Sequence, residues 1–238
     1  MKNFWENKIP IGYYDLIVRK GLENNRGIQA CWHNLTYIKT SQIIFGSKEH
    51  LDYACGSGTL IGNYTKSNSL GVDISTNQIN YAKDKYLDKG QFKTLDDFNL
   101  KKNINKFDAI TVIGLFEYLK DSEIIDLLNE LYRILNDKGK LIITTPNYGG
   151  SMYLIDKLLN FFGPVDYGLE NINKFSKKRI YKLIDGLNKW EINISMFNNI
   201  FLFFALFNLK FAVRINNFFE KLTKNKMGFL LLIELLKK

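Results

Sequence analysis

From about residue 50 onward, short apolar runs alternate with longer stretches whose apolar residues recur three and four apart. That alternation predicts the strands and helices of an α/β sheet. The runs HLDYA, SLGVDIS, QFKT, FDAITVIG and KLIITTP predict five strands. Ser75 and Gln78 form an S-x-x-Q capping box, opening a helix through TNQINYAKDKYLDK that Gly90 stops. Asp121 or Ser122 caps the next helix, where Ile124, Leu127, Leu128, Leu131 and Leu135 keep helical spacing. Asp137-Lys138-Gly139 then turns the chain into KLIITTP. Residues 151–162 and 176–185 read as helices. Trp190, Ile192, Ile194 and Met196 alternate with polar residues as in a half-buried strand, and GFLLLIELL predicts the last strand, over 228–236. Residues 1–45 are helical, in two pieces, YYDLIVRKGL and CWHNLTYIKTSQII. With no repeat and no Pro/Gly/Ser linker, residues 1–238 form one domain: a helical cap over 1–45, a core over 46–197, and a helical insert over 198–226.

The insert differs from the rest in chemistry. As one helix over 200–222 it sets Lys210, Arg214, Asn217 and Lys221 along a stripe, with Phe, Leu and Ile around most of the remainder. Such a helix lies in a lipid interface, or buries its aromatics as a lid or dimer contact. A membrane span is not expected, because Asn193, Asn198, Asn199 and Asn208 break the apolar run, and a span needs about 20 apolar residues. Charge points the same way. Residues 1–150 carry 19 basic and 17 acidic side chains, whereas 151–238 carry 14 and 7. The basic C-terminal third suits an anionic partner, a phosphorylated substrate or an anionic membrane surface, or is a solvated lysine-rich face. Two distant cysteines, Cys31 and Cys55, read as a reducing compartment without disulfides or metal. The start of the chain lacks the apolar core of a signal peptide. The expected location is cytoplasmic, membrane-peripheral if the insert meets lipid.

The stretch HLDYACGSGTLIGNY carries the candidate chemistry. Gly56 and Gly58 follow the first strand, where open α/β sheets bind ligands, and glycine lets a ligand approach the backbone closely. Asp73 ends the second strand, where its carboxylate can accept from both ribose hydroxyls of an adenosine. The dinucleotide pattern is G-x-G-x-x-G, but Gly56, Gly58 and Gly62 give G-x-G-x-x-x-G. Asp52, just before the small-residue turn, repels a pyrophosphate and suits a ligand amino group. No G-K-[ST] follows, which excludes a P-loop.

These residues resemble the class I S-adenosylmethionine-dependent methyltransferases: LDYACGSGT, GVDIS, FDAITVIGLFEYL and LNELYRILNDKGKLIITTPN occur in family order over residues 50–147. The closest likeness is to the branch of quinone, lipid and sugar methyltransferases, whose covering N-terminal helices IPIGYYDLIVRKGL and GIQACWHN also resemble. The resemblance implies a Rossmann-like seven-stranded, mostly parallel sheet with helices on both faces and the last strand antiparallel. It implies S-adenosyl-L-methionine as cofactor, with Asp52 near its amino group and Gly56 and Gly58 as motif glycines. Ala54 stands where the first glycine usually is, which requires its φ to stay negative. Asp73 matches the ribose-binding acid, and Ile74 the residue packing on adenine. Asp96 and Asp97 are both candidates for the adenine amino group, and Gly114 and Leu115 flank the methionine part. Tyr118 replaces the histidine that many relatives carry after the acid, so no metal- or histidine-based scheme rests on that position.

Transfer is then an in-line displacement, catalysed mainly by holding the acceptor close and aligned. His33, beside Trp32 on a covering helix, is the base candidate, with a pKa near neutral; a structural, backbone-bonded histidine is the alternative. His50 lies at the far end of its strand and is structural. Tyr13 and Tyr14 line the acceptor pocket or pin the cap. The expected acceptor is a small molecule, a sugar or lipid-linked intermediate ahead of a quinone. RNA methylation ranks lower, because no RNA-binding module is present and no nucleic-acid partner is expected. A cofactor-binding scaffold without turnover is the non-enzymatic alternative.

Overall fold

The structure is a computed structural model that describes residues 2–153, 155 and 172–238. The helix expected over 151–162 lies mostly outside them. The strands are β1 (Glu49–Tyr53), β2 (Asn68–Asp73), β3 (Gln91–Thr94), β4 (Phe107–Ile113), β5 (Leu135–Pro146), β6 (Trp190–Phe197) and β7 (Leu230–Lys237). They form one seven-stranded sheet in the order β3-β2-β1-β4-β5-β7-β6. All neighbouring pairs from β3 to β5 are parallel, and β7 runs antiparallel to both β5 and β6. Each residue step along a strand changes face, so Ile110, Leu141, Ile143 and Ile233 meet one layer and Ala109, Ile142 and Leu232 the other. Strands buried on both faces read as continuous apolar runs, which is why LGV of β2 and LIITT of β5 are so uniformly apolar or small.

Helices α6 (Asp121–Ile134) and α7 (Lys177–Asp185) pack on the first face. The opposite face is covered by α3 (Ile28–Ile44), through Ile44 and Trp32. The remaining helices are α1 (Lys2–Asn7), α2 (Tyr13–Glu23), α4 (Thr59–Tyr64), α5 (Thr76–Lys85) and α8 (Leu209–Leu222). The N-terminal region is therefore helical in three pieces, one more than its pattern predicts.

Several local expectations are corrected. The Ser75 hydroxyl does accept from the Gln78 amide at 3.3 Å. The Gln78 side chain, instead of reaching back to Ser75, accepts from Gly12 N at 3.1 Å and donates to Pro10 O at 3.0 Å, tying the N-terminal segment to α5. That helix ends at Lys85 rather than at Gly90, because Tyr86 leaves helical geometry and brings its hydroxyl to Asp15. Neither Asp121 nor Ser122 caps α6; Lys120 holds the N-cap position, where its backbone N–H donates to the Glu123 carboxylate at 2.7 Å. Asp137-Lys138-Gly139 forms no turn between elements. It is a bulge inside β5, where pairing jumps from Phe107–Leu135 to Ala109–Lys140 and Lys138 takes φ 64°.

The insert is not one helix. A 3-10 stretch over Ile200–Leu206 is separated from α8 at Phe207 and Asn208, and the Asn208 side chain caps α8 by accepting from Phe211 N at 2.9 Å. Leu202, Ala205, Leu209 and Ala212 bury against Ala30, Cys31 and Leu35 of α3. Buried Asp15 on α2 accepts from Tyr81 at 2.8 Å and from Tyr86, which fixes the cap on α5. Both attachments set the walls of the cleft described next.

Candidate active site

The carboxyl ends of β1, β2, β4 and β5 open into a cleft of about 580 Å³. It lies at the switch point where β1 and β4 are neighbours and chain order reverses, the usual ligand position in such sheets. Asp52, Ala54, Gly56, Asp73, Ile74, Gly114 and Leu115 all line it, and α2 and α3 add Tyr13, Tyr14 and His33 from above.

Asp73 is fixed by the backbone around it. One carboxylate oxygen accepts from Gly56 N at 2.8 Å, the other from Ser75 N at 2.8 Å. Burial pushes its pKa up, and those amides together with that of Ile74 oppose the shift. Gly56 takes φ 52°, and a Cβ built there meets nothing nearer than the Tyr14 ring at 3.9 Å. The space beside Gly56, whose amide donates to Asp73, is open. Ile74 and Leu95 supply apolar surface nearby.

Asp52 is buried, and one carboxylate oxygen accepts from the Thr111 hydroxyl at 2.6 Å. Burial pushes its pKa up to about 7; the Thr111 bond opposes this and the Asp73 charge adds to it. His50 stands behind Thr111, Nε2 at 2.9 Å from the Thr111 hydroxyl and Nδ1 at 3.0 Å from Ser69. Burial lowers its pKa to about 3, so the ring is neutral. Because Thr111 donates to Asp52, its oxygen accepts from Nε2–H, and Nδ1 accepts from Ser69. His50 is structural as expected, but its structure reaches the cleft.

Three expected site residues lie elsewhere. Gly58 does not line the cleft; it takes φ 74°, and a Cβ there would come within 2.7 Å of Phe92, so its smallness serves packing. Asp97 turns back on its own strand end, accepting from the Thr94 hydroxyl at 2.6 Å, and faces a second, smaller cavity. Asp96 is exposed and does not line the cleft either, where Leu95 stands instead. Ala54 does line the cleft but with φ 64°, so the requirement for a negative φ is not met. The left-handed turn that glycine serves is kept, with strain of about 1–2 kcal/mol for a residue with a Cβ.

His33 reaches the cleft, its ring 5.1 Å from that of Tyr14 and 6.3 Å from that of Tyr37. Burial among these rings lowers its pKa to about 4 rather than leaving it near neutral. Glu117 is a further acid of the cleft, outside the expected site residues. It is buried in a 3-10 turn after β4, accepts from Thr145 at 3.1 Å, and is pushed by burial up to about 7. A Cβ on Gly114 would sit 3.5 Å from its carboxylate. An acid directly after the apolar run FDAITVIGLF is the signal that marks it. Beyond these acids the cleft turns apolar: Trp32, Tyr148, Met152, Leu202 and Phe203 form its far wall. Among the described residues no group of three or more His, Cys, Asp or Glu could hold a metal.

A parallel α/β sheet with one antiparallel strand, and acids at the ends of its first two strands, define a class I S-adenosylmethionine-dependent methyltransferase. The chain belongs to the methyltransferase domain family, which matches residues 27–188. It is 30% identical over 166 residues to a demethylmenaquinone methyltransferase of Chlamydia caviae, covering 66% of this chain and 71% of that one. An uncharacterized protein of Rickettsia prowazekii (strain Madrid E) is 30% identical over 123 residues, 45% of this chain and 49% of that protein, so the chain spans about half of this relative. In fold the chain is similar to the plantazolicin methyltransferase BamL, solved with a triazolic desmethylPZN analog and SAH. That likeness has a TM-score of 0.61 and 19% identity, covering 99% of this chain and 94% of that one.

Proposed function

We propose that this enzyme methylates a small acceptor carrying an apolar portion, a lipid-linked intermediate in preference to a free sugar. The observation that carries the reading is the cleft itself, acidic beside Asp52 and Asp73 and apolar beside Trp32, Met152, Leu202 and Phe203. Only an acceptor with an apolar part gains from that far wall, at about 25 cal/mol per Å² buried. The likeness to a quinone methyltransferase supports an acceptor of this kind.

The bound cofactor supplies a methyl group on a positively charged sulfur. Asp73 would hold the ribose hydroxyls with its remaining lone pairs, Asp52 would face the methionine amino group, and Ile74 would pack on the adenine. An oxygen acceptor taking that methyl group would give up its proton. Glu117 takes that proton. Its pKa of about 7 suits it to hold one at neutral pH, whereas His33 at about 4 does not.

The test is methyl transfer from labelled cofactor to acceptors that share one phenolic headgroup and differ in prenyl chain length. Turnover should rise with chain length. Equal turnover on chain-free acceptors overturns the apolar preference. Cofactor binding without turnover on any of them makes the protein a scaffold, and transfer to RNA alone makes it an RNA methyltransferase.

A further inference from the structure

The outer surface of the insert joins two features that water alone does not favour together. Phe204, Phe207, Phe211, Phe218 and Leu222 are exposed, Phe207 at 83% and Phe218 at 68%. On α8, Phe211, Phe218 and Leu222 fall within about 40° of one another at 100° per residue, and Lys210, Arg214 and Lys221 flank them on one side, about 80° away. The opposite side of the helix buries Leu209, Ala212, Asn216 and Glu220. Glu220 is the only acid among residues 198–226, against five basic side chains. It faces inward, accepting from Asn198 N at 2.9 Å and pairing with Lys39 at 2.5 Å. The outward side therefore carries positive charge alone.

We infer that this face, Phe204 to Leu222 with Lys210, Arg214 and Lys221, seats the enzyme on an anionic lipid surface. Charge complementarity selects that occupant: an apolar ridge with a one-signed basic flank is the profile of a helix lying in a headgroup layer. The position of the ridge gives the contact a use. Leu202 and Phe203 line the cleft, whereas Phe204 and Leu206, in the same 3-10 stretch, are exposed. One short segment is thus a wall of the acceptor pocket and part of the surface, so an acceptor with an apolar chain passes from lipid to cleft beside it. No helix among the described residues is long and apolar enough to cross a membrane, which leaves the contact peripheral. This inference rests on the lipid-linked acceptor for its purpose, but its physical test does not.

The test is co-sedimentation of the intact protein with vesicles of equal parts phosphatidylglycerol and phosphatidylcholine, and with phosphatidylcholine alone. Binding should favour the anionic vesicles and weaken as salt shortens the Debye length, which is about 10 Å at 0.1 M. Replacing Lys210, Arg214 and Lys221 by Gln should weaken it on the order of a hundredfold, each such charge being worth about fivefold near an anionic surface. Phe211→Ser with Phe218→Ser should weaken it at least about tenfold. Both side chains are exposed and outside the cleft, so melting temperature and turnover on a water-soluble acceptor should hold. A protein that stays in the supernatant under every condition overturns the proposal. So does a concentration-dependent dimer that the two serine changes dissociate, since the ridge is then a protein contact. No vesicle binding by the parent protein, with prenyl-chain selectivity present, would remove the lipid surface and leave the acceptor reading standing.

Discussion

Thr111 donates a 2.6 Å hydrogen bond to Asp52 from the neighbouring strand, so the buried acid at the cleft floor is held by a hydroxyl rather than by a cation. An acid held that way is costly to ionise until a positive group arrives. Asp73, Tyr37 and Cys55 are the other titratable groups around it, and none brings positive charge.

Cofactor affinity should therefore depend on pH. Free Asp52 stays protonated below about 7, and a ligand ammonium needs the ionised form. Affinity falls as pH drops below that value, approaching tenfold per unit. Titration calorimetry between about pH 5 and 8 measures this, and Asp52→Asn should flatten the slope. His33 at about 4 and His50 at about 3 stay neutral there; Glu117 at about 7 titrates too, so Glu117→Gln is the control. The same shift acts on stability. With its pKa raised from 3.8 to about 7, Asp52 contributes fully below 3.8 and loses that contribution as pH rises through about 7. The cofactor-free Asp52→Asn variant should accordingly melt higher than the parent above about pH 7 and gain less below it.

Asp73 couples binding to folding. Asp73→Ala should weaken cofactor binding by about 1.5–3 kcal/mol, but it also strips two backbone amides of their acceptor, those of Gly56 and Ser75. A fall in melting temperature accompanies it. The fold does not pass through this change untouched, although the carboxylate faces the cleft. Asp73→Asn keeps one acceptor oxygen and should lose most of the affinity with less of the stability. Denaturant melts beside the calorimetry read both.

Glu117→Gln should lower kcat about 10²- to 10⁴-fold for an oxygen acceptor and leave cofactor affinity above about pH 7 within about twofold. In the parent, kcat should rise with pH through about 7, as the carboxyl ionises. Steady-state profiles of both proteins decide it. An unchanged profile in the variant would remove Glu117 from the proton's path.

Ala54→Gly should raise stability by about 0.5–1 kcal/mol, relieving a left-handed alanine against the greater freedom glycine has when unfolded. Urea melts measure the change. A loss instead would mean that the turn tolerates φ 64° without strain.

The sheet was legible because buried parallel strands leave uniform apolar runs, and Val72, Ile110 and Ile142 could sit nowhere else. Asp52, Gly56 and Asp73 were legible because strand ends fix where short side chains reach. What failed depended on backbone direction or distant partners. The φ of Ala54 is set by the turn, not by its methyl group. Gly58 looks like its neighbour Gly56 in sequence, yet it meets Phe92 from a strand over thirty positions later. Asp97 was drawn back by Thr94. The insert broke at Asn208, whose side chain caps a helix more readily than it continues one.

The turn between α2 and α3 is fastened to the far end of the chain. Gly27 N donates to Ala205 O at 2.6 Å, Leu209 N to Asn25 O at 2.7 Å, and Lys210 N to the Asn25 side chain at 2.9 Å, across 185 residues. Closing so long a loop costs entropy that only an already formed sheet offsets. The roof over the cleft should therefore form after the sheet and open before it. Hydrogen exchange at Gly27, Leu209 and Lys210 would time that opening, while the amides of β4 and β5 stay protected.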